Sequence, residues 1–297
     1  MKIKRGGIFR LISKIVLLLI AAMCVIPFLL MISSSFTDNA TVAVTGYSFI
    51  PPKFSLEAYE YLWKEGPKIL RSYGISILIT VVGTVSSLIL TLLLAYPLSR
   101  KDFPLQKPLA VIVFFTLLFN GGMVPTYLIY SRVFHINNTI AALIIPTLLL
   151  NGFNVMLMRT YLMTNIPSAI IEAARIDGMG EFRILLKMVL PLSLPIIATI
   201  GLLVGVAYWN DWFNALLYIN EEELYSLQVL LSKILQNAQF LATNVSFGGN
   251  LAGSSRNIPS TTVRMAIAVV GTLPVLIIYP FFQKYFEKGL LVGAVKG

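Results

Sequence analysis

The chain has 297 residues, 57% of them hydrophobic and only 12% charged, with a net charge of +10. A water-soluble domain carries roughly a quarter charged residues because its surface must face water, so that class is excluded. Nucleic acid is not expected as a partner, since the basic excess sits in no soluble module and a positive-inside membrane bias accounts for it.

One cysteine (Cys24) and one histidine (His135) rule out an intrachain disulfide, a multi-thiolate metal site and a Cys/His cluster. A Ser-His-Asp triad would rest on His135 alone, in a short connection between apolar blocks. No catalytic, cofactor or metal site is therefore expected on this chain.

Apolar residues come in blocks long enough to cross a bilayer, which takes about twenty helical residues. The first, about 15–31, follows Lys2, Lys4, Arg5, Arg10 and Lys14. It exceeds the apolar region of a signal peptide and reads as an uncleaved anchor. Five more follow, at about 73–96, 108–130, 139–158, 190–216 and 265–286. The expected fold is an all-α membrane protein of six transmembrane helices in one domain over 1–297. With the N-terminus inside, 15 of the 23 basic residues fall on the inner side, among them Arg100, Lys101, Arg159, Arg175, Arg183 and Lys187. That asymmetry favours N-in, C-in.

The second block carries Thr80, Gly83, Thr84, Ser87 and Thr91 at three- and four-residue spacing. Such spacing lets helices approach closely in lipid, either at a subunit interface or within the chain. Pro125, Pro146, Pro195, Pro274 and Pro280 interrupt later blocks. Breaks of this kind survive only where the freed carbonyls face protein or a water-filled cavity, which suits a bundle with a central pathway. The outer loop 218–263 begins with Leu224, Leu227, Leu230, Leu231 and Ile234 at helical spacing, an amphipathic helix near the interface. A polar, glycine-rich stretch containing Ser246, Gly248, Gly249 and Asn250 follows.

The stretch 166–191 lies between the fourth and fifth blocks, on the inner side. Pro167 suits the first turn of a helix, Ala173 and Ala174 are strong helix formers with little bulk, and Gly178 breaks the helix or lets it turn. A helix, a turn and a second helix feeding a span would make a compact knob. Small alanines would admit another protein's surface, and Glu172, Arg175 and Asp177 could make oriented charge pairs. On physics alone this is either a docking element or an ordinary charged loop.

The run Glu172-Ala173-Ala174, then Gly178, then Met188, Leu190 and Pro191 resembles the signature of ABC importer permeases. Met188 stands where that family usually has isoleucine, and Met179-Gly180 replaces a more usual Ala-Ser. Asn120 to Tyr127, Met158 to Tyr161, Tyr208 to Trp212 and the tail Gly293 to Gly297 look like carbohydrate-type permeases. The likeness is to the branch that imports oligosaccharides or polysaccharide fragments in Gram-positive bacteria, and to the second, smaller permease of the maltose-type importers. It implies a heterodimer with a second permease in a bacterial plasma membrane, two ATPase subunits carrying ATP and Mg, and an extracellular sugar-binding protein. Glu172, Ala173, Ala174, Arg175, Asp177, Gly178, Leu190 and Pro191 would couple to the ATPase. Ser246, Gly248, Gly249 and Asn250 would reach the binding protein.

Asn120, Asn151, Asn154 and Asn210 either meet sugar hydroxyls along the pathway or bond other helices. The chain has no G-x-x-x-x-G-K-[ST] phosphate loop, so ATP hydrolysis belongs to another polypeptide. Two alternatives remain. A non-sugar ABC permease would share the same knob. An ion-coupled carrier would place charges inside the membrane, and these blocks hold almost none.

Overall fold

The computed structural model describes residues 3–246 and 260–294. Among them the chain is helical, with no strand and one isolated antiparallel bridge, Thr37 to Phe54. In chain order the helices are α1 (Ile3–Ser35), α2 (Asn39–Thr45), α3 (Glu57–Lys64), α4 (Gly66–Ser99) and α5 (Gln106–Leu118). Next come α6 (Met123–Leu128), running on as a π-helical turn (Ile129–Val133), then α7 (Ile140–Ile144), α8 (Gly152–Asn165) and α9 (Ser168–Ile176). The short α10 (Glu181–Ile184), a second π-helical turn (Leu185–Val189) and α11 (Leu190–Leu192) lead into α12 (Leu194–Trp209). Last are α13 (Phe213–Tyr218), α14 (Leu227–Ser246) and α15 (Ser260–Ala294).

The described chain forms two compact units, Met1–Lys68 with Leu231–Pro274, and Ile69–Leu230 with Val275–Gly297. In the first, α1 contains the apolar stretch Arg10–Ser35, long enough to cross a membrane. Its apolar side chains from Leu11 to Leu29 are exposed, a surface that lipid can solvate and water would not. Asp38 caps α2: its Oδ2 accepts from the Thr41 amide at 3.1 Å and from the Thr41 hydroxyl at 2.8 Å. Phe36 stacks on Phe54 and Tyr59. Asn39 Oδ1 accepts from the amides of Thr261 and Thr262, satisfying two free donors in the first turn of α15.

In the second unit, Gly66–Ser99 is long and apolar enough to cross alone. The small-residue stripe on α4 packs inside this chain. Gly83 lies under the Tyr208 ring of α12, where a Cβ would stand 2.5 Å from Cζ. Ser87 and Thr91 are fully buried. Among the described residues the hydroxyls of Thr80, Thr84, Ser87 and Thr91 have no hydrogen-bond partner, so the stripe works by close approach.

The later blocks are broken. Within 108–130, α5 ends at Leu118 and the helix Met123–Val133 leaves it at 114°. Within 139–158, α7 ends at Ile144 and α8 begins at Gly152, with Thr147 between them at a φ of 62°. A β-branched residue in that region costs on the order of 1–3 kcal/mol and persists only where its surroundings enforce it. The surroundings here are visible. The Tyr208 hydroxyl donates to the Ile144 carbonyl at 2.8 Å, Asn214 Nδ2 donates to the Pro146 carbonyl at 3.2 Å, and Asn151 Oδ1 caps α8. Ahead of α12, Glu181–Leu192 and Leu194–Trp209 meet at 81° around the buried Ser193. Its hydroxyl donates to the Val189 carbonyl at 2.7 Å. The amphipathic stretch after Tyr218 is α14, whose apolar face of Leu227, Leu230, Leu231 and Ile234 is buried in protein. Packing, not lipid, covers those side chains.

Two glycines of α4 separate packing from propensity. At Gly74 a Cβ meets nothing within 4 Å, so Gly74→Ala should leave thermal stability in detergent unchanged or raise it by up to about 1 kcal/mol. Gly83→Ala should lower it by about 1–3 kcal/mol, the usual cost of overpacking, because the Tyr208 ring is pinned by its hydrogen bond to Ile144.

Candidate functional site

The segment from Pro167 to Pro191 is built on a helix with one buried and one exposed face. Pro167 precedes α9 with φ −63° and ψ 134°. Ile171 and Ala174, three residues apart, are 7% and 2% exposed and join a core with Leu92, Ala95 and Leu98 of α4, Met158 and Leu162 of α8, and Ile184. Ala174 is thus spent on this chain's own packing, and Ala173 is the alanine that faces outward. Beside it lie the exposed Glu172 and Asp177 and the apolar Ile176, 87% exposed. Leu190 is half-buried and Pro191 exposed.

Gly178 ends α9. Its φ of 79° belongs to the left-handed region, and a Cβ there would meet nothing, so conformation alone explains the glycine. Its amide donates to the Arg175 carbonyl and the Met179 amide to the Ala174 carbonyl, both at 2.9 Å. Together these make a Schellman cap.

Arg175 does not face outward alone. Its Nη1 donates to Asp102 Oδ2 at 2.7 Å and its Nε to Glu181 Oε1 at 2.7 Å, with Nη2 also on Glu181. Arg100 meets the same two carboxylates, Asp102 Oδ2 at 2.8 Å and Glu181 Oε2 at 3.2 Å. The four charges therefore form a closed ring of alternating sign. The Tyr96 hydroxyl donates to Glu181 at 2.8 Å and accepts from Arg100 at 2.9 Å. A cleft of about 460 Å³, floored by Leu93, Pro97, Phe103, Phe182 and Leu185, lies against the ring. Only Arg175 of this ring was singled out from the sequence. Arg100 counted there only as one of the inner-side basic residues, Asp102 drew no reading, and nothing local placed either near residue 175.

The four asparagines part company. Asn151 and Asn154 line a cavity of about 430 Å³ with Thr147, Leu148, Phe153, Leu203, Val204 and Ala207. Asn154 is 8% exposed, and its side-chain amide has no partner among the described residues. Asn120 accepts from the Gly122 amide, and Asn210 donates to the Val206 carbonyl; neither lines that cavity. Ser246 is the last residue of α14. Gly248, Gly249, Asn250 and the tail 295–297 lie outside the described residues.

Residues 66–292 match the model of the family described as binding-protein-dependent transport system inner membrane component. The chain belongs to that family and is a multi-pass membrane protein. It is similar to the polygalacturonan/rhamnogalacturonan transport system permease protein YtcP of Bacillus subtilis, with 42% identity over 95% of this chain and 96% of that one. It is 38% identical to the protein LplC of the same organism, over 99% of this chain and 97% of that one. Its fold matches a chain in the crystal structure of a bacterial ABC transporter involved in the import of the acidic polysaccharide alginate. There the TM-score is 0.79 and the identity 32%, covering 96% of this chain and 99% of the other.

Arg100 donating to Asp102 is the main reason that this carboxyl titrates at about 2; partial burial opposes the shift and Arg175 reinforces it. A depressed carboxyl contributes stability that is present above its unfolded value of about 4 and lost as pH falls through the folded value. The links that Asp102 makes should hold at neutral pH and be lost as pH falls from about 4 towards 2. Carbon-13 NMR of labelled aspartate would locate the Asp102 midpoint near 2, and Arg100→Gln would move it upward.

Proposed function

We propose that the chain is the permease subunit of an ATP-driven, binding-protein-dependent importer, forming with a second permease the membrane pathway for an oligosaccharide. The observation that carries this is the exposed face of α9, with Glu172, Ala173, Ile176 and Asp177 presented beside a rigid glycine turn. A cleft on an ATPase subunit that took this face would bury Ile176, worth roughly 1.5–3 kcal/mol, and would meet Glu172 with a basic group. Family membership supports this docking role. ATP and Mg belong to the two ATPase subunits, and this chain hydrolyses nothing.

The pathway side of the reading is the cavity at the break between α7 and α8. Irregular backbone at membrane depth is tolerated where it lines such a cavity. Asn154 and Asn151 would present amides to sugar hydroxyls there. Two similar proteins serve polygalacturonan/rhamnogalacturonan transport and import of the acidic polysaccharide alginate, so we assign an acidic oligosaccharide, one containing uronic acid. The proposed topology is six spans, N-in and C-in, with Gly178 and Lys296 inside, Ser255 outside, and the loop around Ser246 to Asn250 facing the binding protein. Cysteines placed singly at 178, 255 and 296 after Cys24→Ser should react from outside at 255 alone; labelling at 178 instead would invert the assignment.

Purified alone, the chain should neither hydrolyse ATP nor accumulate sugar in liposomes. With a second permease, two ATPase copies and a binding protein loaded with trigalacturonate, ATP hydrolysis should rise, because a partner that favours one transport state must bias the ATPase state coupled to it. Glu172→Lys should insert normally yet reduce transport by at least about tenfold, since like charges across a contact cost several kcal/mol. Uphill uptake by this polypeptide alone, driven by a proton or sodium gradient, would refute the reading.

A further inference from the structure

The docking helix is loosely attached by its chain alone. A two-residue link, Ile166-Pro167, joins it to α8, and Gly178 and Gly180 follow it. Its own buried face is little more than Ile171 and Ala174. A helix held only so would rock when pushed, and the displacement would be spent in the glycine turn. The ring of charges opposes that motion because it ties three separate segments: the turn after α4 through Arg100 and Asp102, the end of α9 through Arg175, and the start of α10 through Glu181.

Isolated surface ion pairs contribute little, but networks of good geometry are the exception. Here each charge has two opposite partners, and the Arg100 side chain is only 11% exposed. Beyond the ring the path continues through hydrogen bonds and close packing. The Leu98 carbonyl near the end of α4 accepts from Arg159 Nε at 2.8 Å and from Gln106 Nε2 at 3.1 Å. Further along α4, Gly83 meets the Tyr208 ring, and Tyr208 bonds the Ile144 carbonyl at the break that opens onto Asn151 and Asn154.

We propose that Arg100, Asp102, Arg175 and Glu181 are positioning residues that lock the docking helix α9 to the end of α4, so that its displacement is delivered to the Asn151–Asn154 cavity. The inference rests on the reading that α9 docks on an ATPase. Spatial continuity alone does not demonstrate coupling, so the test must read motion at the cavity while the perturbation is made at the ring.

The measurement is the thiol-labelling rate of Asn154→Cys, in a Cys24→Ser background, within the assembled importer in nanodiscs, with and without ATP and vanadate. With the ring intact, trapping the ATPase should change that rate at least about fivefold, the low end of usual coupling between sites. Asp102→Asn and Arg175→Gln should lose the change although the complex still co-purifies, and Arg175→Lys, which keeps a charge there, should retain most of it. A merely structural role would lower melting temperature and yield but leave the response intact. Should Asp102→Asn fail to assemble, Glu181→Gln carries the same test, because it leaves Asp102 paired with both arginines. An undiminished response in the ring variants, with Glu172→Lys unresponsive, would overturn the clamp and leave the docking reading standing. A response that survives Glu172→Lys as well, or that is missing with the ring intact, would remove the docking reading and the clamp with it.

Discussion

A peptide group shut away from water must find its hydrogen-bond partner inside the protein, and this constraint organises the second unit of the chain. An unbroken helix meets it automatically, as α4 does over 34 residues. Between α7 and α8 it must be met one group at a time. Tyr208 serves the Ile144 carbonyl, Asn214 serves the Pro146 carbonyl, and the Asn151 side chain serves the amides of Phe153 and Asn154. Those partners come from α12, α13 and the cap of α8, so the break exists only because the neighbouring helices stand where they do.

The same helices hold both the cavity and the segment around α9. Tyr208 can reach Ile144 because Gly83 gives its ring room. A larger residue at 83 would disturb the close approach of α4 and α12 and, through it, the cavity wall. At the other end of α4, Leu98 is held by Arg159 and Gln106, and the turn that follows supplies Arg100 and Asp102 to the ring. One long helix thus packs against α12, which supplies Leu203, Val204 and Ala207 to the cavity, and ends beside α9. Packed interiors of this kind shift as units and do not deform continuously.

Helix α9 divides its side chains by environment. Ile171 and Ala174 are buried against the rest of the chain, Arg175 joins the charge ring, and Glu172, Ala173, Ile176 and Asp177 are exposed. The exposed Ile176 is the least expected of these, since an isoleucine on an open surface gains nothing until something covers it.

Composition and periodicity were enough to establish a helical membrane chain, because lipid demands long apolar blocks whatever the fold. Glu172 to Gly178 were legible as a helix ending at a glycine, since a Schellman cap is a local device. The small-residue stripe of α4 announced a close approach, but its target, Tyr208, lies 125 residues from Gly83 in the numbering and only tertiary structure could name it. The breaks within 108–130, 139–158 and 190–216 were marked by Pro125, Pro146 and Pro195, yet their angles depend on which neighbours satisfy the freed carbonyls. The charge ring was invisible for the same reason. In one dimension Arg100, Asp102 and Glu181 are ordinary charges and Arg175 shows only that it could pair, while ion pairing falls off with distance in space, to which position along the chain is no guide.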